Sequence, residues 1–431
     1  MKNNFKLVLI TLVGLSLKTQ AAVTLLDKDE WKIQLGGFTQ FDVSHDSTRS
    51  FMETVGSSPV ARPGTQNGDN GRSQFSLRNS RLAFTVFAPI QNGWKTKGHL
   101  EYDLLGATNG TTEASTLGAP TLRMRHAYLS AEAEGWQILA GQYWTLFGWQ
   151  TYYLIPTVTV APIPGETYLR TPQLLVMKTF GDLQTAISVV RPVQRDSQLP
   201  DLDAGVRYTF SGRKAGYVNS GMGEKSVQAM SIAMTGTVRD IETPVSGSTS
   251  AQTHYTGYAG AIDFMVPVIT ASSDKDLSHS LVLSGEFTTG KGFGDVFTNW
   301  TGNLSPLPIS GASTSQPNLD PGIAGYDASG NFQLVKLQTF NFNLQYHFPT
   351  EWNTHLNLGY GQVYSNNIGG LTPVVQNSSA YNRVEVILAN LFHDFTKQIR
   401  VGGEYSYFTT QYTDGVKAYN SRYQVTAWFR L

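Results

Sequence analysis

The chain of 431 residues has no cysteine, so a disulfide framework, a thiolate metal site and a cysteine nucleophile are all excluded. It is also poor in charge. Asp, Glu, Lys and Arg make up 15% of the residues, against roughly a quarter in a soluble globular protein. Neither sign is in excess, since 32 Lys and Arg match 32 Asp and Glu, and this balance gives no footprint for nucleic acid and no polyanionic tail. Beyond the first twenty or so residues there is no apolar run near the roughly 20 residues that a spanning helix needs. If the remaining chain crosses a membrane, it does so as a closed β-barrel, because only helices and closed barrels satisfy every backbone group in lipid. What the chain does have is 20 Tyr, 22 Phe and 42 Gly. That suits tilted strands with aromatic rings at the lipid headgroups, although a large secreted β-sandwich shares part of the profile.

The first residues read as a secretory signal. Lys2 and Lys6 form a basic start, Leu7 to Leu17 an apolar stretch, and Thr19, Gln20 and Ala21 a small-residue cleavage region. The expected division is a signal peptide over 1–21, cut after Ala21 or Ala22, and a barrel over 22–431.

Alternation carries the fold assignment. Tyr423, Val425, Ala427, Phe429 and Leu431 alternate with Arg422, Gln424, Thr426, Trp428 and Arg430, and successive side chains on a strand point to opposite faces. The same rhythm runs through Trp94 to Leu104, Ala204 to Phe210, Phe340 to Tyr346, Leu356 to Tyr360 and Arg383 to Leu388. The polar sets carry too many ionic side chains for a dry core, so the apolar faces are assigned outward to lipid and the polar faces to a wet lumen. Strands are expected near 31–43, 74–88, 93–104, 121–132, 136–144, 171–180, 183–191, 202–210, 227–238, 254–266, 279–288, 332–346, 353–364, 380–391, 397–407 and 421–431. The fold class is therefore all-β: a transmembrane antiparallel barrel of about sixteen strands. Long connections at 44–73, 105–120, 145–170 and 289–331 fall on one side and short turns on the other; the 211–226 segment breaks the rule, being too long for a short-side turn.

About sixteen strands leave an aqueous channel. Its expected lining includes Arg81, Lys95, Lys97, Arg123, Arg125, Arg207, Arg422 and Arg430, with the acids Asp42, Glu101, Asp103, Asp203, Glu385 and Glu404. Two readings stay open: a basic ladder that draws anions through the pore, or a balanced lumen in which each cation pairs with an acid, Lys97 with Glu101 for example. The 145–170 connection is too apolar for an exposed loop. Folding it into the barrel as a constriction buries Trp149, Tyr152, Tyr153 and Leu154, and leaves Glu166 and Arg170 as its only charges; packing over the mouth or against a neighbouring subunit is the alternative. None of the eight His lies in a hydrolase or metalloprotease motif, and neither a catalytic set, a metal nor a cofactor is expected. His126 is placed at a polar or interface position of its strand.

Two resemblances follow from these residues. The last strand resembles the C-terminal signal read by the barrel-assembly machinery, with Leu431 where Phe is usual and Phe429 two before it. The runs Leu122-Arg123-Met124-Arg125-His126-Ala127-Tyr128, Gly141-Gln142-Tyr143-Trp144-Thr145-Leu146-Phe147 and Thr171-Pro172-Gln173 look like the DcaP-like porins of Gram-negative bacteria, over roughly 74–180. Leu174 and Leu175 stand where related porins often have a further Arg; the phosphate-selective porins share some of these patterns. The resemblance implies a trimeric outer-membrane porin passing small organic anions, dicarboxylates among them, with Arg81, Arg123 and Arg125 as solute contacts. The competing class is a structural or adhesive barrel with a blocked lumen; an outer-membrane hydrolase is a third.

Overall fold

The computed structural model describes residues 22–431 apart from 57, 108–111, 113–119, 160–161, 193–196, 218–225, 245–250, 274–275, 299, 305–318, 321 and 372–378. The expected signal peptide lies outside the described residues. No helix among them is long and apolar enough to cross a membrane.

The strands are β1 (Val23–Lys28), β2 (Trp31–Asp46), β3 (Arg72–Ser76), β4 (Arg81–Phe87), β5 (Lys95–Asp103), β6 (Arg123–Ala133), β7 (Trp136–Trp144), β8 (Arg170–Phe180), β9 (Leu183–Val190) and β10 (Asp201–Tyr217). They continue with β11 (Ser226–Pro244), β12 (Gln252–Ile269), β13 (Leu281–Lys291), β14 (Ala324–Tyr326), β15 (Phe332–Leu334), β16 (Lys336–His347), β17 (Thr354–Ser365), β18 (Tyr381–Asp394), β19 (Ile399–Tyr412) and β20 (Lys417–Arg430). One helical turn, α1 (Gln150–Tyr153), lies between β7 and β8.

Antiparallel pairing runs from each barrel strand to the next. The cylinder closes where β20 pairs with β2, from Phe38 opposite Arg430 to Asp46 opposite Arg422. β3 and β4 lie end to end along β2 and act as one interrupted strand. Counting them once, and setting aside the small β14–β15 hairpin and the short β1, leaves a closed barrel of sixteen strands. β1 folds back along the first residues of β2, with Val23 opposite Leu35, where β20 does not reach. Its two-residue turn, Asp29-Glu30, has both φ angles positive, a hairpin geometry that Asn-Gly would announce. Asn92-Gly93, between β4 and β5, has the announced pair.

Polarity is inverted relative to a soluble barrel. Leu129, Leu358, Ile387, Val425 and Phe429 are exposed on the outer face, while Ser284, Asn343, Asn357 and Thr426 are fully buried inside. Exposed apolar surface of this extent is stable only against lipid. The expected strand map holds, and the long 211–226 connection has a simple origin. β10 and β11 both run past the neighbouring strands, and their pairing continues to Tyr217 opposite Ser226 across a register shift between Phe210 and Lys214.

On β18 the assignment of faces needs correction. Val384, Val386 and Leu388 are buried inside and Ile387 is exposed outside, so Glu385, of the same parity as Ile387, faces outward. The reason lies in the lumen. Described residues of the outer connections fold inward there: Phe51, Ile155, Phe293 and Trp300 form one apolar cluster with Val384 and Val386. Inward apolar positions are therefore satisfied on that side.

Candidate functional site

β6 builds the site through an irregularity. Glu101 on β5 faces His126, but the next residue, Tyr102, faces Met124, so Arg125 is an extra residue in the strand, a β-bulge. Met124 and Leu129 can then both point outward although they are five residues apart, at 45% and 69% exposure. Arg123, Arg125, His126 and Tyr128 consequently all face the lumen. His126, expected at a polar or interface position, faces the lumen. Its ring lies among Tyr143 at 5.1 Å, Trp144 at 5.3 Å and Tyr128 at 6.5 Å, and its Nδ1 is buried without a hydrogen-bond partner. The odd spacing of two outward apolar residues was the sequence signal for this bulge.

Four guanidinium groups share this wall. Arg123 binds Asp103 through two bonds, of 3.0 and 2.6 Å. Arg125 donates to Glu101 at 2.5 Å and to Asp103 at 3.0 Å. Arg81 lies 3.7 Å from Glu101. Arg170, the first residue of β8, has no carboxylate within ion-pair distance among the described residues; it stacks over Trp144 at 4.9 Å and Tyr168 at 5.4 Å, with Nη1 buried and unpartnered. Four cations against Glu101 and Asp103 leave a surplus of two positive charges. Tyr168, in the loop beside them, registers this field. Burial would raise its phenol, but Arg125, Arg170 and Arg81 outweigh burial and bring it down to about 8.

The other expected lining residues separate into groups. Lys95 and Lys97 face inward at the opposite end of β5, Lys95 opposite Glu132 and Lys97 opposite Ser130. The Lys97–Glu101 pair anticipated for a balanced lumen does not form among the described residues: four residues along one strand set the two roughly 13 Å apart, and Glu101 is engaged by Arg125 and Arg81. Arg422 is on the lumen side but is fully engaged by Asp46 at 2.9 Å and by the Met52 and Glu53 carbonyls; it pins the first outer loop instead of extending the wall. Arg430 likewise pairs with Asp394 at 2.7 Å.

The 145–169 loop enters the barrel. Trp149 packs on Gly205, where a Cβ would meet its ring at 2.9 Å. Tyr153 donates to Ser231 at 2.9 Å, and Arg207 reaches Tyr153 at 3.2 Å while lying 3.7 Å over the Tyr152 ring. Farther on, the Val158 amide donates to Glu404 at 3.0 Å on β19, so the loop spans the lumen from the β7–β8 wall to the far side. It then returns. Glu166 accepts from the Ile155 and Ile163 amides at 2.8 and 3.1 Å, and Thr167 bonds Glu286 through its amide and its hydroxyl at 3.1 and 2.6 Å. Burial, with the Glu286 charge beside it, holds the Glu166 carboxyl well above the ordinary range against the pull of the two amides.

Among the described residues, the grouping able to hold a metal ion is Asp240, Glu242 and His254, at the loop end of β11 and β12 on the outer face and away from this wall.

No family model matches the chain, and no curated protein does. Among solved structures it is similar to the outer-membrane channel DcaP of Acinetobacter baumannii, at 17% identity and TM-score 0.68 over 94% of this chain and 99% of that one. It is also similar to OmpF of Salmonella typhi, at 11% identity and TM-score 0.55 over 95% and 100%. The anion-selective porin of Comamonas acidovorans matches at 11% identity and TM-score 0.52 over 93% and 100%. At these identities the likeness is one of fold, and with the inverted polarity of the barrel it makes this chain a sixteen-stranded transmembrane β-barrel of the outer-membrane porin fold, similar in fold to DcaP.

Proposed function

We propose that the chain resides in a bacterial outer membrane and forms a water-filled channel for small anionic solutes, with the arginine wall as the element that favours them. The observation that carries this reading is the surplus of two positive charges among Arg81, Arg123, Arg125 and Arg170 over Glu101 and Asp103, beside a loop that crosses the lumen. Cationic rows are the usual device for anion passage, and a confined channel focuses their field. On this reading Arg123, its side chain 41% exposed, and Arg170, with no carboxylate partner among the described residues, contact the passing anion first, since the Arg81 and Arg125 side chains are buried beside Glu101. Small dicarboxylates fit a wall of spaced guanidinium groups, since charge-assisted bonds from guanidinium to carboxylate are among the strong ones. The chain acts as a channel and not as an enzyme. It is exported by the 1–21 signal, inserted by the barrel-assembly machinery through its last strand, and assembled as a homotrimer.

A second reading has its own support. The apolar cluster formed inside by the outer loops fills part of the lumen, as a structural or adhesive barrel with a blocked bore would require. Planar-bilayer recording separates the two. A channel gives stable open steps, with a reversal potential on the anion side in a KCl gradient. Replacing Arg123 and Arg125 together by Ala removes the surplus and should bring that potential close to zero. Absence of steps in the unaltered protein favours the blocked barrel, and an unchanged reversal potential in the double variant refutes the arginine wall as the selective element.

A further inference from the structure

The outer face of β7 to β11 is not uniformly convex. A groove of about 710 Å³ is set into it, lined by Trp136, Val176, Lys178, Ile187, Val206 and Met234 along its sides. Its floor is formed by small residues: Ala204 and Gly236 are direct cross-strand neighbours, both within the groove. A Cβ added at Gly236 would meet only the Ala259 carbonyl, at 3.9 Å, so the hollow at this point is open to the outside.

Strand register shows how the groove runs. Trp136 faces Lys178, Lys178 faces Thr185, Thr185 faces Val206, and Val206 faces Met234. Trp136 is the first residue of β7 and Met234 is near the middle of β11. Since barrel strands are tilted, this row climbs from the short-turn rim of the barrel toward mid-membrane. At the rim end sits a cation. The Lys178 ammonium lies 4.7 Å over the Trp136 ring and 5.7 Å over Phe180. Among the described residues it gives one hydrogen bond, to the Glu134 carbonyl at 2.8 Å. An ammonium has three donors, and no carboxylate is within ion-pair distance of Lys178 among the described residues.

We propose that this groove is a binding site for one glycerophospholipid of the periplasmic leaflet, its phosphate on Lys178 and one acyl chain laid over Ala204 and Gly236. Two features match two parts of the ligand. The ring-held cation at headgroup height complements a phosphate, and the apolar hollow rising from it complements a chain. Amphipathic Trp136 marks the interface between them. The site requires the barrel to lie in a membrane but is independent of conduction through the lumen.

The test is native mass spectrometry of the full-length protein released from detergent after exposure to phosphatidylglycerol or to phosphatidylcholine. One retained phosphatidylglycerol per chain is expected. Lys178→Glu should weaken retention at least fivefold, in keeping with the effect of a single basic residue near an anionic lipid surface. Gly236→Leu should abolish retention by filling the groove, without strain on the fold. Bilayer conductance should be unchanged in both variants, which separates failure of the lipid site from failure of the channel. Equal retention by all three proteins would overturn the proposal. So would a change of oligomeric state in Gly236→Leu with no lipid retained by the unaltered protein, since a second copy of the chain would then be what covers the groove.

Discussion

Replacing Glu166 by Ala removes the clasp that holds the lumen-crossing loop in shape. Its carboxyl receives two backbone amides, from Ile155 at 2.8 Å and Ile163 at 3.1 Å, and both are buried. Each amide left without an acceptor costs about 1–3 kcal/mol, so the loop should lose roughly 2–6 kcal/mol of local stability. At about 1.4 kcal/mol per factor of ten, the smaller figure is about a thirtyfold loss of hydrogen-exchange protection at those two amides. Glu166→Gln keeps one carbonyl oxygen and turns its amino group toward the second amide, so it should lose about half as much. Exchange measured residue by residue in detergent is the assay. The sign of the pH effect follows from the raised Glu166 carboxyl, for which burial is the largest cause. A group whose native value lies above its unfolded value contributes fully at low pH, and the contribution is lost as pH rises through the native value. The loop should therefore be most protected in acid and loosen on alkalinisation, and Glu166→Gln should be insensitive. Unchanged protection of Ile155 and Ile163 in Glu166→Ala would refute the clasp.

Two further outcomes are expected. Tyr168, with its phenol brought to about 8, should gain a negative charge between pH 7 and 9 and cut the surplus on the wall from two to one. Anion preference should fall over that interval and stay flat in Tyr168→Phe; a flat profile in the unaltered protein would count against the charge reckoning. Val425, exposed on the outer face near the middle of β20, should tolerate Arg poorly, with a loss of about 2–4 kcal/mol in vesicle refolding if it lies at the bilayer midplane, whereas a neutral result would argue that this face meets water.

The barrel itself was legible because lipid outside and water inside impose strict alternation, as on β20, where Tyr423, Val425 and Phe429 are exposed and Arg422, Gln424, Thr426, Trp428 and Arg430 are buried. The sequence failed where tertiary context replaced water in the lumen. Val384, Val386 and Leu388 face inward only because loops distant in sequence pack on them. Arg422 looked like a pore cation but is held by Asp46 and two loop carbonyls, partners that no local pattern announces. β1 escaped notice because its Asp29-Glu30 turn takes positive φ without Gly or Asn. The wall was half visible: Arg81, Arg123 and Arg125 could be placed from parity. The bulge that adds His126, and the separation of Arg170 from every described carboxylate, required the paired strands.

The absence of native cysteine makes one measurement especially direct. Arg123 has the most exposed side chain of the wall's ion pairs, at 41%, and should face the conducting water. With Arg123→Cys as the sole thiol, a water-soluble anionic sulfonate reagent added during bilayer recording should alter the single-channel current stepwise, and with Val425→Cys it should do nothing. Reaction at Val425→Cys with silence at Arg123→Cys would place water and lipid on the opposite faces and contradict the account.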